Sequence, residues 1–166
     1  MVAVLLALAT GCLLAALVIR YRRGWVLVTV DGRSMVPALE PGDRVLVRRV
    51  PPARVRIGQV VVVEEPVGGA WLTPPVPWGA TPTAGRRWIV KRAVAGPGDP
   101  VPVEVTPAVG GDTTRVPPGH FVLLGDNRPG SCDSRTYGFV PGDRILGSVH
   151  RFLSPSRGDG RATRSP

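Results

Sequence analysis

Of the 21 lysine and arginine residues in the chain, Lys91 is the one lysine. An ammonium group can give up its proton inside a protein and a guanidinium cannot. One cationic side chain here can therefore serve as a base at neutral pH. Lys91 lies in the apolar run Trp88-Ile89-Val90-Lys91-Arg92-Ala93-Val94. An exposed lysine titrates near ~10.4, but burial among side chains such as Trp88 and Val90 disfavours the charged form and lowers that value. Arg92 pushes the same way, although neighbours along a strand face opposite sides. The hydroxyl to be activated is Ser34, in the turn Asp31-Gly32-Arg33-Ser34-Met35-Val36-Pro37 that comes after a β-branched run. Gly32 permits close approach of a substrate there, and Pro37 stiffens the exit. A serine hydroxyl is a poor nucleophile until a base takes its proton. Histidine is the usual base, yet His120 and His150 have no triad-like surroundings. Taken singly, Ser34 also reads as an ordinary turn serine and Lys91 as a surface lysine, so the neighbouring motifs decide.

Three stretches carry a resemblance. Gly32-Arg33-Ser34-Met35-Val36-Pro37-Ala38-Leu39 resembles the Ser-Met-x-Pro nucleophile box of the type I signal peptidases. Lys91-Arg92-Ala93-Val94-Ala95-Gly96-Pro97-Gly98-Asp99 resembles their lysine box. Gly125-Asp126-Asn127-Arg128-Pro129-Gly130-Ser131-Cys132-Asp133-Ser134-Arg135, continued by Tyr137-Gly138-Phe139-Val140-Pro141, resembles their third box. All three occur in order, and the resemblance covers about residues 25–150.

The resemblance implies a mainly β catalytic domain, a signal-peptidase-like barrel or sheet. It implies a membrane-bound serine endopeptidase that removes N-terminal signal peptides from exported preproteins through a Ser–Lys dyad, with no cofactor and no metal. By the match, Ser34 is the nucleophile and Lys91 the general base. Ser131 orients the Lys91 amine, Asp133 and Arg135 form a supporting ion pair, and Asp126 and Asn127 are structural. Met35 lines the substrate pocket. Some members carry a hydroxyl residue two positions before the nucleophile that helps bind the oxyanion. Here that position is Gly32, which leaves the Ser34 N–H as the main donor, supported by the backbone geometry of Gly32. The family's preference for small residues at −1 and −3 implies shallow aliphatic pockets.

The elements that must position these groups are legible as short β-branched runs. Strands are expected at Trp25–Val30, Val45–Val47, Gln59–Val63, Trp88–Val94, Val101–Val105, Phe121–Leu124 and Ile145–Phe152. The triplets Pro41-Gly42-Asp43, Pro97-Gly98-Asp99 and Pro141-Gly142-Asp143 read as type II turns. Residues 64–87, rich in Pro, Gly and Thr, read as a long loop or floppy hairpin.

Ahead of the first strand, Val2–Ile19 is an 18-residue run without a charge, which as a helix spans about 27 Å, close to the hydrocarbon core of a bilayer. Arg20, Tyr21, Arg22, Arg23 and Trp25 come next as interfacial anchors. The expected organisation is a membrane anchor at 1–23, a catalytic domain at 24–153 and a disordered polar tail at 154–166. The lipid bilayer and preprotein signal peptides are the expected partners. The positive-inside rule would place the Arg20–Arg23 cluster, and the domain behind it, in the cytoplasm, whereas the family resemblance implies a single-pass protein with its catalytic domain outside.

The net charge of +9 is scattered in short clusters without interleaved aromatics, a pattern that disfavours nucleic acid. Cys12 and Cys132 imply no disulfide framework, and no Cys or His pair has metal-ligand spacing. Nothing requires an oligomer. Three rivals remain. One is a peptidase of the same superfamily specialised for a pilus or conjugation protein. Another is a soluble self-cleaving SOS-type Ser–Lys regulator, against which the apolar segment and third box speak. The last is a membrane protein with a decayed protease fold, against which the intact boxes speak.

Overall fold

Seven strands hydrogen-bond into one antiparallel sheet in the order β1-β2-β7-β3-β4-β5-β6. They are β1 (Trp25–Thr29), β2 (Arg44–Arg48), β3 (Val60–Glu64), β4 (Trp88–Ala95), β5 (His120–Leu124), β6 (Val140–Pro141) and β7 (Ile145–Leu153). Two one-turn helices, α1 (Thr106–Val109) and α2 (Ser134–Tyr137), flank β5 in sequence. This computed structural model describes residues 10–14, 24–71, 73–77 and 85–153. The chain is mainly β, as its β-branched runs dictate.

Alternation along the strands sends side chains to two apolar faces. Val60, Val62 and Val90 pack with Val45, Val47, Leu146, Met35 and Leu39 on one face. Val61, Val63 and Ala93 pack with Phe121, Leu123, Val140 and Ile145 on the other, joined by Ile89 and Tyr137. A third cluster, Ala95, Val105, Val116, Val122 and Leu124, closes the end where β4 and β5 meet α1. β3 lies centrally between β7 and β4 and is buried along its whole length, consistent with its run of four valines.

Two expectations are corrected. The stretch Val101–Val105 forms no strand: a 3-10 turn at Val103–Val105 leads into α1. Pro100, Pro102 and Pro107 remove ladder donors and fix φ, which suits helix starts and defeats pairing. Among the described residues a single bridge, Pro100↔Arg115, survives there. The Pro-Gly-Asp triplets also differ among themselves. Gly42 and Gly98 have φ of +93° and +86° as type II turns need, and Asp43 and Asp99 each accept a backbone N–H three residues back. Gly142 instead opens a 3-10 turn without positive φ. Glycine is required there for space, since a β-carbon would lie 2.8 Å from Pro52 Cβ and 3.0 Å from the Phe121 ring.

The described part of the 64–87 segment is pinned rather than floppy. Buried Glu64 accepts hydrogen bonds from Thr73 Oγ1 at 2.5 Å, Arg86 Nη1 at 2.8 Å and Arg144 Nη1 at 3.2 Å. At the N-terminus, residues 10–14 are helical and exposed. The rest of the expected span 2–19, and the tail from 154, lie outside the described residues. Among the described residues no helix is long and apolar enough to cross a membrane.

Candidate active site

Lys91 sits mid-strand in β4, opposite Val61 of β3. It therefore shares a face with Ile89, Ala93 and Tyr137, while Trp88 and Val90 belong to the opposite cluster. The expected desolvation is present, but the side chains supplying it are the former set, as the two-residue period of a strand demands. Lys91 is 3 % exposed, and burial holds its amine below the ordinary lysine value against the attraction of Asp133, Cys132 and Glu65. Among the described residues it makes no ion pair with a carboxylate; its Nζ donates to Ser131 Oγ over 2.8 Å.

Ser131 is held against Lys91 by the residues just after it in the chain. Asp133, completely buried, caps α2 by accepting the Arg135 N–H. Its Oδ2 also accepts the Gly125 N–H and Arg135 Nη2, each over 2.9 Å, and Arg135 Nε donates to its Oδ1. Burial alone would push this carboxyl up; hydrogen bonds from Arg135, the Gly125 N–H and Ser131 outweigh it and hold it at about 2. Arg135 further donates to the Arg128 and Ser131 carbonyls, so one guanidinium gathers both ends of the 128–135 loop. Ser134 Oγ accepts the Leu123 N–H, tying α2 to β5. Tyr137, at the end of α2, keeps its hydroxyl buried with no hydrogen-bond partner among the described residues, and burial pushes its phenol up.

Ser34 is half-buried in the turn between β1 and β2. Two bonds close the base of that turn, Val30 N–H to the Asp43 carbonyl at 2.8 Å and Gly42 N–H to the Val30 carbonyl at 2.7 Å. Met35 and Leu39 anchor it from beneath in the core. Met35 is fully buried, so it presents no surface to a substrate side chain and the expected pocket role gives way to an anchoring one. Asn127 holds the turn from the third box: its N–H donates to the Ser34 carbonyl over 2.9 Å and its Nδ2 to the Arg33 carbonyl over 3.1 Å. Asp126 is gripped by Arg92 through bonds of 2.8 and 2.6 Å, and Arg92 Nη1 also donates to the Gly58 carbonyl.

Gly125 is where these parts meet. The register Arg92↔Leu124, continued by one residue, sets Gly125 beside Lys91. A β-carbon at 125 would fall on the Ser131 side chain and within 2.6 Å of the Ser34 carbonyl oxygen. The Ser34 main chain, the Ser131 hydroxyl and the Lys91 strand thus converge on a spot left open by one missing side chain. Gly32 is exposed, without positive φ, and a β-carbon there would meet nothing within 4 Å. Sequence reasoning singled out neither Gly125 nor the Arg92–Asp126 pair. Their glycine and charged residues lie inside the quoted boxes, but what each contacts is set by distant segments.

A family model described as signal peptidase, peptidase S26, matches residues 1–109 and 102–153. The chain belongs to this signal peptidase family. As a member it is a serine endopeptidase, a hydrolase that cleaves signal peptides. A probable signal peptidase I-1 of Synechocystis sp. is 31% identical over 146 residues, spanning 77% of this chain and 71% of its own. A mitochondrial inner membrane protease subunit 1 of Schizosaccharomyces pombe is 32% identical over 123 residues, 72% of this chain and 67% of its own. A signal peptidase I of Bacillus caldolyticus reaches 58% identity over a short stretch of 36 residues, 22% of this chain and 20% of its own. Among solved structures, a signal peptidase I of Enterococcus faecalis aligns with a TM-score of 0.34 and 19% identity over 58% of this chain and 98% of its own, too loose an overlay to bear on the fold.

Proposed function

We propose that this signal peptidase cuts preproteins with Ser34 as nucleophile and Lys91 as general base, Ser131 orienting the amine. The observation that carries the reading is the state of Lys91: a lysine 3 % exposed, with a hydroxyl rather than a carboxylate as its hydrogen-bond partner. A buried ammonium without an ionic partner is costly, and the group relieves that cost by giving up its proton. The neutral amine then accepts the Ser34 proton as Ser34 Oγ bonds to the scissile carbonyl carbon. The resulting oxyanion takes a hydrogen bond from the Ser34 N–H. On collapse the carbon–nitrogen bond breaks, and the leaving amine receives the proton held on Lys91. Water, deprotonated by the same amine, hydrolyses the ester and frees Ser34. Asn127 and the Asp133–Arg135 pair position the two loops that bear Ser34 and Ser131.

The residues ahead of β1 are proposed to anchor the chain in a membrane as a single pass, with residues 24–153 as the catalytic domain, outside the cytoplasm, and 154–166 as a polar tail. A preprotein cleavage assay in detergent tests the dyad. Ser34→Ala, Lys91→Ala and Lys91→Arg should each abolish cleavage, the last because it keeps the charge and loses the titratable amine. Full activity in any of them rejects the assignment.

A further inference from the structure

Away from Ser34, a cleft of about 420 Å³ is lined by Arg48, Arg54, Arg56, His150, Gln59 and Ser148, with no carboxylate in its wall. Six other described arginines, Arg86, Arg87, Arg92, Arg128, Arg135 and Arg144, are each ion-paired to Asp or Glu. Arg48, Arg54 and Arg56 are not, and all three are exposed. Three guanidinium groups gathered without a counter-charge repel one another, and a multivalent oxyanion reverses that balance.

The fold builds this grouping rather than merely tolerating it. β2 and β7 pair Leu46 with Arg151 and Val47 with Val149, leaving His150 as the extra residue of a bulge. A bulge re-aims a side chain, and here it brings the His150 ring to the Trp25 ring, centroids 5.0 Å apart. Trp25 is the register partner of Arg48 and also lies under its guanidinium, 6.0 Å from the ring centroid. Gly147, next to Ser148, lets β7 approach so closely that a β-carbon would run into the Arg48 carbonyl. A bulge, an aromatic shelf and a close strand contact thus hold Arg48 and His150 on the wall that Arg54 and Arg56 complete.

We propose that this cleft is a binding site for a phosphate group, carried by an anionic lipid headgroup or free in solution. Its placement favours the headgroup. Trp25 opens β1 directly after the Arg20–Arg23 cluster and the apolar residues 2–19, and tryptophan beside arginine is the pairing that favours a lipid interface. Exposed Leu27, Phe152 and Leu153 lie on the strands next to the site.

The test uses the full chain in non-ionic detergent micelles at physiological ionic strength. It is titrated separately with short-chain phosphatidylglycerol, short-chain phosphatidylcholine and inorganic phosphate, with binding read by phosphorus NMR. The Arg54→Gln/Arg56→Gln double variant should weaken phosphatidylglycerol binding about tenfold or more, as loss of charge-assisted hydrogen bonds requires. The charge-matched control Arg115→Gln/Arg128→Gln should leave it unchanged, and phosphatidylcholine should bind weakly to all. That pattern with phosphatidylglycerol alone assigns a headgroup site; the same pattern with inorganic phosphate assigns a free-phosphate site. Equal loss in both double variants, or no loss in either, overturns the proposal.

Discussion

The Ser131 side chain occupies the space that a residue larger than glycine at position 125 would fill, and the Ser34 carbonyl borders the same space at 2.6 Å. Gly125→Ala must therefore displace both Ser131, which holds the Lys91 amine, and the Ser34 main chain. Overpacking of this kind costs about 1–3 kcal/mol of stability. The effect on catalysis should be larger than the stability loss implies, because a small misplacement of reacting groups costs on the order of a hundredfold in rate. Preprotein cleavage kinetics beside a urea melt will show it. A Gly125→Ala enzyme with an unchanged kcat would mean that the three groups do not meet as described.

Burial of Lys91 carries its own signature. Its folded-state value lies below 10.5, so between that lowered value and 10.5 the unfolded chain binds a proton that the folded chain does not. Stability must then rise as pH rises through this window and be lower beneath it. Lys91→Met removes the titrating group and fills the same space. This variant should be inactive, yet at neutral pH at least as stable as the parent, and its urea midpoint should lose the parent's rise towards alkaline pH. If Lys91→Met is strongly destabilised at neutral pH, the amine is instead held charged by a partner and is no base.

Much of this site could be read from residue types alone. A single lysine in an apolar strand points to a desolvated amine; β3 announces itself through four consecutive valines, and β4 through Ile89 and Val90 with Val94 beyond the lysine. What could not be read is what depends on contacts between distant segments. The need for glycine at 125 comes from the Ser131 side chain and from the Ser34 carbonyl, the latter far away in the chain. Met35 looks like a loop residue beside Ser34, but the turn folds back so that Met35 and Leu39 enter the core. Valines at 101, 103 and 105 imitate a strand, yet Pro102 between them and Pro100 and Pro107 on either side withhold the donors a ladder needs. The Glu64 clasp joins Thr73, Arg86 and Arg144, a grouping that no local pattern reveals.

Asp133 predicts behaviour in acid. Its carboxyl is held at about 2, against roughly 3.9 in an unfolded chain. A depressed value contributes stability that is complete above the unfolded value and lost as pH falls through the folded one, worth about 2 kcal/mol for this completely buried group. The loss should fall between about pH 4 and pH 2. Asp133→Asn should lower stability at neutral pH, since it strands Arg135, and should flatten the acid limb between those pH values. Measured melting curves whose acid limb is the same for parent and Asp133→Asn would show that this carboxylate does not anchor the third box.

The oxyanion end of the site yields the last expectation. In the proposed mechanism Ser34 supplies one backbone donor, and the neighbouring position that could supply another is Gly32. Nothing in the fold demands glycine there: φ is not positive, and a β-carbon would find no atom within 4 Å. A serine can therefore enter without strain and present a hydroxyl two residues before the nucleophile. One added oxyanion donor is worth on the order of a hundredfold when well aimed, so Gly32→Ser should raise kcat, by about tenfold at least if the hydroxyl reaches the oxyanion, with KM little changed. Gly32→Ala separates the hydroxyl from mere bulk and should leave both parameters as they are. Identical rates for the Ser and Ala variants would show that the hydroxyl gains nothing, and that the Ser34 N–H has help from another donor already in place.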